Sequence, residues 1–576
     1  MSWRILFPLG LLFTACDSAE SSLCPEGQII ENGDCTFPTK LQQIVRVSTV
    51  GFVPGSAKQA TYAGFASTYV IRSADDDSIV FPAEPGPVKP AINASDSGEG
   101  ETHTVDFSDF DVPGEYYIEV QNVGLSNTFR IGDDVFVEPF QAAMLGMYGW
   151  RCGSAVSFEW QGLTFGHGAC HLDDGPGSGG WHDAGDYGKY TNNGAFALGM
   201  MLFAWDHYRS KLEGITLPIP EQDNGIPDYL DECLYQANWL LGMQLESGGA
   251  SDRITSTNFD GFIMPESSSA PRNMAPVSTK ATGDMVAALA HMARIVREFD
   301  EEQADRYEAA AKAGWQFLLD NDTIPPPKSG YTGSYGLGNN PDPDTDDRAW
   351  AAAELWETTG DPDVLAAFEE YGKNLRVSGD FDWADVSNLG IYAYLGSERE
   401  GRSDAVLNLL QASLVLTTSN LVEAAGKHAY GRSLGFQYNW GINGSIARTT
   451  MALMLGSRLD PANARADIDT ASLQLDHLFG RNYYGRSFTT GVGLNSPQNP
   501  HYRPSVADTV LSPWPGMLVG GSFAQNAMMM TPGTMTPGAK PPADQWVDDS
   551  GNFQTNEVAI NWNAALIYNL AAFLPE

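Results

Sequence analysis

The stretch "PFQAAMLGMYGW", residues 139–150, marks the change of pattern that decides the fold. Its apolar side chains recur at the three- and four-residue intervals of a helix with one apolar face. The residues before it alternate apolar and polar side chains, which is the period of a half-buried β-strand. The sequence therefore predicts a multidomain chain, a β domain followed by an all-α domain, with the boundary between residues 136 and 137.

The β domain covers residues 39–136. Segments such as "STYVIRS" (67–73) and "GEYYIEVQNV" (114–123) alternate apolar and polar residues, and turn-forming residues separate them at short intervals. Several such strands in roughly 100 residues predict an immunoglobulin-like β-sandwich.

The helical domain covers residues 137–576. About a dozen segments repeat the helical period, among them "GAFALGMMLFAWDHY" (194–208) and "INGSIARTTMALMLGSRL" (442–459), with long loops rich in Gly and Pro between them. No strand alternates with these segments, which argues against a parallel-sheet barrel. Helix pairs in a toroid fit the number of segments, although the pattern alone does not separate a toroid from an irregular bundle.

The charge balance excludes two classes of partner. The chain has 33 basic and 72 acidic residues and a formal net charge of −39. Such a surface repels nucleic acids and anionic membranes. We therefore expect a protein that acts on neutral ligands and that contacts a membrane only through a lipid anchor, if it has one. We also expect a monomer that uses no organic cofactor.

The N-terminus, residues 1–16, reads as an export signal. "MSWRILFPLGLLFTAC" has a basic residue, an apolar run too short to span a bilayer, and small residues before Cys16. "FTAC" resembles a bacterial lipobox, in which the cysteine becomes lipidated, although Phe13 replaces the usual leucine. The two expectations, a cell-envelope lipoprotein and a secreted protein, both place the chain outside the cytoplasm.

The cysteines are read in that oxidising setting. Residues 17–38 look like a tether, within which Cys24 and Cys35 bracket a short polar loop and are predicted to form a disulfide. Cys233 lies in an apolar helical pattern and is most simply a buried free thiol.

Two aspartates stand among small residues in "GGWHDAGDYGKY" (179–190). If "DAGD" forms a helical or 3₁₀ turn, Asp183 and Asp186 share one face. The neighbouring glycines let a ligand approach the backbone. In the alternative interpretation Asp183 caps a helix and Asp186 is solvated on its first turn.

Two later segments carry further polar residues. Glu557, in "NEVAINWNAAL" (556–566), precedes an apolar helix, where a carboxylate also favours the helix dipole. "NSPQNPHYRPS" (495–505) places His501 and Arg503 two residues apart in a loop with three prolines. In an extended chain both side chains point the same way, which suits binding of hydroxyl groups or a carboxylate.

These three segments, in this order, resemble the signature segments of glycoside hydrolase family 9. "VSTVGFVPGSAKQA" (47–60) is similar to the start of the immunoglobulin-like module that precedes the catalytic domain in some members. The resemblance implies an (α/α)6 barrel and an inverting endo-β-1,4-glucanase that cleaves cellulose or cellodextrins. Exo-acting relatives release cellobiose, glucose or glucosamine from chain ends, so exo action is the alternative. A non-catalytic carbohydrate-binding lipoprotein is a third possibility.

The resemblance also assigns catalytic roles. It implies that Asp186 is the general base, that Asp183 helps to hold the attacking water, and that Glu557 is the general acid. Inversion requires room for that water, with about 6.5–9.5 Å between acid and base. The acid must stay protonated near neutral pH, which calls for an apolar or anionic setting.

The resemblance assigns substrate contacts as well. His501 and Arg503 would hold the sugar next to the scissile bond. Asp548 matches an acidic position near the acid and is a candidate source of the negative charge that keeps Glu557 protonated. Tyr502 stands where the family often has a second histidine.

A cysteine–histidine cluster precedes the aspartate pair. Two sulfurs and two imidazoles complete a tetrahedral structural zinc site, and the resemblance selects Cys152, Cys170, His171 and His182. His167 is a spare that could replace either histidine. The alternative is a Cys152–Cys170 disulfide with histidines at the surface.

Acidic residues cluster in "NNPDPDTDDRAW" (339–350), which includes Asp346. Alternating acids in a loop can bind a hard cation, and relatives bind calcium in a comparable loop. We predict Asp342, Asp344, Asp347 and Asp385 as calcium ligands, with a solvated acidic loop as the alternative. Five aromatic residues are candidates either for stacking on sugars or for core packing: Trp181, Tyr187, Tyr190, Trp350 and Trp514.

Overall fold

The computed structural model describes residues 44–327, 329–333, 344–524 and 540–576, and the backbone of residues 29–31 and 34–36. Contacts divide the chain into two units, Met1–Gln42 and Gln43–Glu576. In the first unit, β1 (Ile29–Glu31) and β2 (Asp34–Thr36) pair as an antiparallel hairpin. The predicted signal at 1–16, lipidation of Cys16 and the Cys24 partner of Cys35 lie outside the described residues, as does most of the tether at 17–38.

Nine strands between residues 45 and 131 form a β-sandwich. They are β3 Val45–Arg46, β4 Gln59–Ala63, β5 Thr68–Ser73, β6 Ile79–Pro87, β7 Ile92–Ala94, β8 Gly100–Asp106, β9 Gly114–Val120, β10 Gly124–Leu125 and β11 Phe129–Ile131. One sheet has the order β3-β4-β8-β7 and the other β10-β9-β5-β6, with β11 also paired to β9, and every pairing is antiparallel.

Alternation along β9 shows why this segment forms a strand. Tyr116, Ile118 and Val120 are buried between the sheets, whereas Glu115 and Glu119 point away from them. Strand pairing in register, such as Ile71 of β5 opposite Ile118, places apolar side chains of neighbouring strands on the same face. The predicted immunoglobulin-like sandwich is confirmed.

Residues after the sandwich form helices joined by long loops. The helices are α1 Val137–Gly149, α2 Thr191–Leu212, α3 Asp228–Gly242, α4 Thr279–Val296, α5 Glu301–Asp320, α6 Thr345–Thr359, α7 Pro362–Gly372, α8 Ser387–Gly396, α9 Asp404–Lys427, α10 Ile442–Leu459, α11 Ala464–Leu478, α12 Arg503–Ala507, α13 Phe553–Asn556 and α14 Ile560–Ala572. Short antiparallel strands lie in the loops: β12 Val156–Trp160, β13 Leu163–His167, β14 Lys189–Tyr190, β15 Ala250–Ser251, β16 Arg253–Ser256, β17 Arg272–Met274 and β18 Val277–Ser278.

Twelve of the described helices have ten residues or more, and they alternate along the chain between an outer and an inner ring. The inner ring is α2, α4, α6, α8, α10 and α14, and the outer ring is α1, α3, α5, α7, α9 and α11. Inner helices are buried almost all round, as α4 is, whereas the outer helix α5 buries one face only. The predicted (α/α)6 barrel is confirmed.

The sandwich packs on the barrel through a buried polar network around Asp96. The Asp96 carboxylate accepts hydrogen bonds from His428 Nε2 at 2.9 Å and from the Tyr438 hydroxyl at 2.5 Å. Its carbonyl accepts another from the Ala543 amide at 3.0 Å. Because the three partners belong to the barrel loops, this aspartate helps to tie the module to the barrel.

Candidate active site

A cleft of about 740 Å³ opens at one end of the helical ring. Tyr190 and Ala559, which line it, directly precede α2 and α14, and Trp383 and Trp440 lie a few residues before α8 and α10. The cleft is therefore built on the loops that lead into the inner helices. Four of the residues predicted for the reaction line it together with Asp183: Asp186, His501, Arg503 and Glu557.

The "DAGD" segment forms a bend, not the helical or 3₁₀ turn that would have placed Asp183 and Asp186 on one helix face. The Asp183 amide donates to the Gly188 carbonyl, and its carbonyl accepts from the Ile560 amide at the start of α14, 3.0 Å away. Asn193 of α2 donates to Asp183 Oδ1 at 2.7 Å. These bonds turn both aspartates into the cleft, so the interpretation of Asp183 as a helix cap does not describe this segment.

Gly185, between the two aspartates, lies against the loop that carries His501. A Cβ atom on Gly185 would stand 2.0 Å from the His501 carbonyl oxygen, a distance that the backbone cannot accept. Arg503 holds the same contact from the other side, because its amide and its guanidinium both donate to the Gly185 carbonyl. The missing side chain thus lets the two loops meet.

Glu557, in the same cleft, lies between the end of α13 and the start of α14. Its backbone is extended and bridges to His501, and its carbonyl accepts from the Gly520 amide at 2.9 Å. The side chain faces the cleft rather than the first turn of a helix. The backbone bridge links the predicted acid directly to the predicted sugar-binding loop.

Electrostatics separate the carboxyl groups. Burial raises the pKa of Glu557 well above its ordinary value, and the negative charges of Asp186 and Asp183 raise that pKa further. Burial also raises the pKa of Asp186, but Arg503 opposes the shift. The cleft therefore contains one carboxyl group that favours its protonated form beside aspartates whose charge favours that state.

His501 presents one ring nitrogen for a ligand. Its Nδ1 lies 2.6 Å from the Ser550 carbonyl, which can only accept, so Nδ1 carries the proton. Burial lowers the pKa of His501, which favours the neutral ring. Nε2 is then an acceptor, suited to the hydrogen of a hydroxyl group.

Asp548 does not line the cleft among the residues that the structure describes there. Its carboxylate accepts hydrogen bonds from the Gln498 amide at 2.8 Å and the Asn499 amide at 2.9 Å, and from Asn556 Nδ2 at 3.0 Å. Asp548 therefore fastens the loop that carries His501. The negative neighbours that raise the pKa of Glu557 are Asp186 and Asp183.

Most of the aromatic candidates are core residues. Trp181, Trp350 and Trp514 are essentially inaccessible, and Tyr187 is buried with its hydroxyl bonded to the Ile263 carbonyl. Tyr190 alone of the five lines the cleft. The aromatic residues that the sequence interpretation missed are Phe259, Tyr331, Trp383, Trp440, Phe553 and Trp562. Two of them, Trp383 and Trp440, lie just before an inner helix, which is a signal that could have indicated them.

Four donor atoms from Cys152, Cys170, His171 and His182 lie within 4.8 Å of one another beneath the aspartate bend. The two sulfurs are 3.8 Å apart, and the facing nitrogens of the two histidines are 3.3 Å apart. A tetrahedral zinc ion with ordinary bond lengths would separate two sulfurs by about 3.8 Å and two nitrogens by about 3.3 Å. The donor set fits zinc, and the sulfurs are far beyond the disulfide length of about 2.05 Å.

His167, the spare histidine, lies outside this group; its Nδ1 donates to the Gly168 carbonyl. Cys233 is a buried free thiol, as predicted. Burial lowers the pKa of His182 to about 3, so its ring is neutral and able to donate a lone pair.

The acidic cluster differs from the predicted calcium set. Asp342 lies outside the described residues, and Asp344 pairs with Arg348 and Thr323. Asp385 accepts from Ser387, its own neighbour in the chain.

Asp347 is fully buried together with Asp284, and neither carboxylate has a hydrogen-bond partner among the described residues. Lys280 approaches Asp347 at 3.6 Å. Burial raises the pKa of Asp347 well above its ordinary value, and the charges of Asp346 and Asp284 raise it further. Asp284 was not predicted, and it adds unpaired oxygens to this site.

A helical toroid whose cleft joins a glutamate of raised pKa, two aspartates and several aromatic residues is the arrangement of a glycoside hydrolase. Comparison with known sequences identifies which one. Residues 136–570 match the glycosyl hydrolase family 9 pattern, and residues 40–124 match the cellulase N-terminal ig-like domain. The chain belongs to glycosyl hydrolase family 9.

Similar proteins include Endoglucanase D of Acetivibrio thermocellus, which is 40% identical over 99% of this chain and 87% of its own length. The crystal structure of a metagenome-derived glycoside hydrolase family 9 endoglucanase has a TM-score of 0.82, 29% identity, and coverage of 92% of this chain and 98% of its own. A Zn-binding triple mutant of the family 9 endoglucanase J30 has a TM-score of 0.82, 30% identity, and coverage of 91% and 99%.

Proposed function

We propose that this enzyme is an exported endo-β-1,4-glucanase that inverts the anomeric carbon of cellulose or cellodextrins. The observation that carries the proposal is Glu557, a partly buried residue of the cleft whose pKa is raised by desolvation and by the two aspartates of the same cleft. An acid held protonated opposite a carboxylate base is the arrangement that glycosidic bond cleavage with inversion requires.

The residues divide the reaction into balanced proton transfers. Asp186 takes a proton from water as its oxygen attacks the anomeric carbon, and Glu557 gives its proton to the departing glycosidic oxygen. Asp183 accepts the second hydrogen of that water. Each turnover consumes one water and leaves Asp186 protonated and Glu557 ionised. Proton exchange with solvent then returns both residues to their starting states.

Neighbouring residues position the glucan. His501 Nε2 accepts a hydrogen bond from a sugar hydroxyl, since Nδ1 is already bonded to the Ser550 carbonyl. Trp440, which is 40% exposed and lies against Trp562, offers a ring face for stacking on a pyranose. Both features favour a neutral polysaccharide.

Two metal ions are proposed as structural parts. Zinc on Cys152, Cys170, His171 and His182 would cross-link the loop that ends at Asp183. Calcium is proposed beside α6, where the buried carboxyl groups of Asp284 and Asp347 lie together. Neither ion supplies a step of the reaction.

Export and anchoring are proposed from the N-terminal sequence. Expression in a bacterial host with fractionation tests both, because a Cys16→Ala variant would move from the membrane to the soluble extracellular fraction if Cys16 is lipidated. If the wild type and the Cys16→Ala variant are both found in the soluble extracellular fraction, the protein is secreted and has no lipid anchor.

Endo action is tested on carboxymethylcellulose, with viscosity and reducing ends followed together. Internal cleavage lowers viscosity steeply while few reducing ends appear, and a Glu557→Gln variant should lose about 10²–10⁴-fold in kcat. Reducing ends that accumulate at nearly constant viscosity would support exo action instead. Unchanged hydrolysis by Glu557→Gln would refute the assignment of the acid.

A further inference from the structure

A second cavity, of about 610 Å³, lies where the immunoglobulin-like module, α1 and the barrel loops meet. We call it the junction groove. Among the described residues, those that line it do not line the catalytic cleft. Its volume lies within the range of about 300–1,000 Å³ typical of small-molecule sites, which favour domain interfaces. The groove is therefore large enough for a ligand of its own.

An indole forms one wall of the junction groove. Trp160 ends β12 and is partly exposed, and its Nε1 has no acceptor among the described residues. Gly491 faces this edge of the ring, and a Cβ atom placed there would come within 3.4 Å of Nε1. Nε1 is itself buried against Gly491, so the indole offers the groove an apolar ring face, which is suited to the apolar face of a ligand.

Polar side chains of both charge signs surround that ring. Arg130 pairs with Asp134 at 2.8 Å, and Gln161 donates to Glu138 at 3.2 Å. Because the groove lacks an excess of positive charge, it does not select phosphate or other anions. Carboxylates, amides and a guanidinium beside an indole instead suit the alternating hydroxyl groups and apolar faces of a neutral sugar.

We propose that the junction groove is a non-catalytic binding site for a β-1,4-linked glucan oligosaccharide. This inference rests on the proposed function, because the enzyme's own substrate is the neutral sugar at hand. Ser496 and Gln498 line the groove, and three residues further along the same loop His501 lines the cleft. Three residues span at most about 11 Å, so a glucan held in the groove stays close to the catalytic cleft.

The test counts bound oligosaccharides. Calorimetry and equilibrium dialysis with cellotetraose are performed on the full chain bearing Glu557→Gln, which binds without turnover. We expect two molecules per chain, and one when Trp160→Ala is added. Phe65→Ala, at an exposed aromatic of the module outside the groove, is the matched control and should keep two.

Trp160 also packs partly against the core, so a second variant protects the test from misfolding. Asp134→Ala removes an exposed side chain of the groove and should weaken the second binding event several-fold while leaving the first unchanged. The proposed binding site would be refuted if the Glu557→Gln parent binds only one cellotetraose, or if two molecules still bind after each of the two substitutions. No bound cellotetraose at all would instead refute the proposed function.

Discussion

At the scale of single residues, catalysis depends on a difference in proton affinity between carboxyl groups in one cleft. Burial raises the pKa of both Glu557 and Asp186, and Arg503 lowers both, but at Glu557 the charges of Asp186 and Asp183 add to the rise. Arg503 stabilises the ionised aspartate, while the aspartates oppose ionisation of the glutamate. Because the groups interact, the enzyme titrates with apparent pKa values that belong to the set.

The Asp183→Asn substitution tests this coupling. The asparagine keeps the Oδ1 acceptor that Asn193 uses but removes a negative charge. The pKa of Glu557 should fall, so the alkaline limb of the kcat/KM profile should move to lower pH. An alkaline limb that stays in place or moves to higher pH would contradict the proposed effect of the Asp183 charge on Glu557. As a control, an Asp75→Asn variant on the module surface should leave the profile unchanged.

The same raised pKa predicts how stability depends on pH. The folded protein holds the Glu557 proton at pH values where the unfolded chain, near its ordinary value of 4.5, has lost it. The contribution of Glu557 to the free energy of unfolding is therefore fully present below pH 4.5, and it is lost as the pH rises toward the pKa of the folded state. Glu557→Gln should raise the Tm at neutral pH relative to wild type, and less so at pH 4. A Tm difference that grows toward acid would contradict the sign.

At the scale of the elements, the site depends on loops that precede the inner helices. The aspartate bend bonds to the start of α14, and the cysteine–histidine cluster lies just before that bend. The loops have only short strands of their own, so cross-links help to fix them. Zinc is the cross-link that we propose for the bend.

Metal content measures that cross-link directly. The purified protein should contain about one zinc ion per chain, and chelation should lower its Tm. Cys170→Ala should lose the zinc, whereas Cys233→Ala, at a buried thiol outside the cluster, should retain it. Zinc retained by Cys170→Ala, or a zinc-free wild type with unchanged Tm, would contradict the site.

Sequence periodicity predicted most of the helices and the clearest strands, but it missed helix α8 and strand β6. The helix α8 is apolar or small nearly all round and buried throughout, so it has no stripe of helical period. Strand β6 contains three prolines and lies at a sheet edge, where prolines are tolerated but alternation is weak. The outer helices and β9 show clear patterns, and the sequence predicted them.

The candidate site shows the same division. Asp183, Asp186 and Glu557 were predicted because their segments are distinctive, and the four-residue metal cluster because cysteine and histidine are rare. Trp440 and Asp284 were missed, since their roles depend on which loops the barrel brings together. The bend at 183–186 was also beyond local prediction, because bonds to α2 and α14 determine it.

At the scale of the whole molecule, the module and the barrel belong to one compact unit, and Asp96 is one of the residues that join them. Burial alone would raise the pKa of Asp96, yet His428 and Tyr438 hold it below its ordinary value. Tyr438 lies two residues before Trp440 of the cleft wall. The module thus contacts the segment that carries an aromatic residue of the active site.

Removal of that carboxylate should destabilise the whole enzyme. Asp96→Ala leaves His428 and Tyr438 buried without their acceptor, at a cost of about 3–5 kcal/mol. We expect a lower Tm by calorimetry and a lower kcat on cellotetraose. Asp75→Ala, at an exposed position of the same module, should change neither. A wild-type Tm for Asp96→Ala would show that the interface does not depend on this pair.

In the proposed reaction, Asp186 delivers water to one face of the sugar while Glu557 protonates the glycosidic oxygen that departs from the other face. The anomeric form of the newly released product reports this directly, before mutarotation. Proton NMR of cellotetraose mixed with concentrated enzyme should show the α-anomer first, with the β-anomer appearing at the slower mutarotation rate. A product that appears first as the β-anomer would contradict direct displacement by water and the roles assigned to both residues.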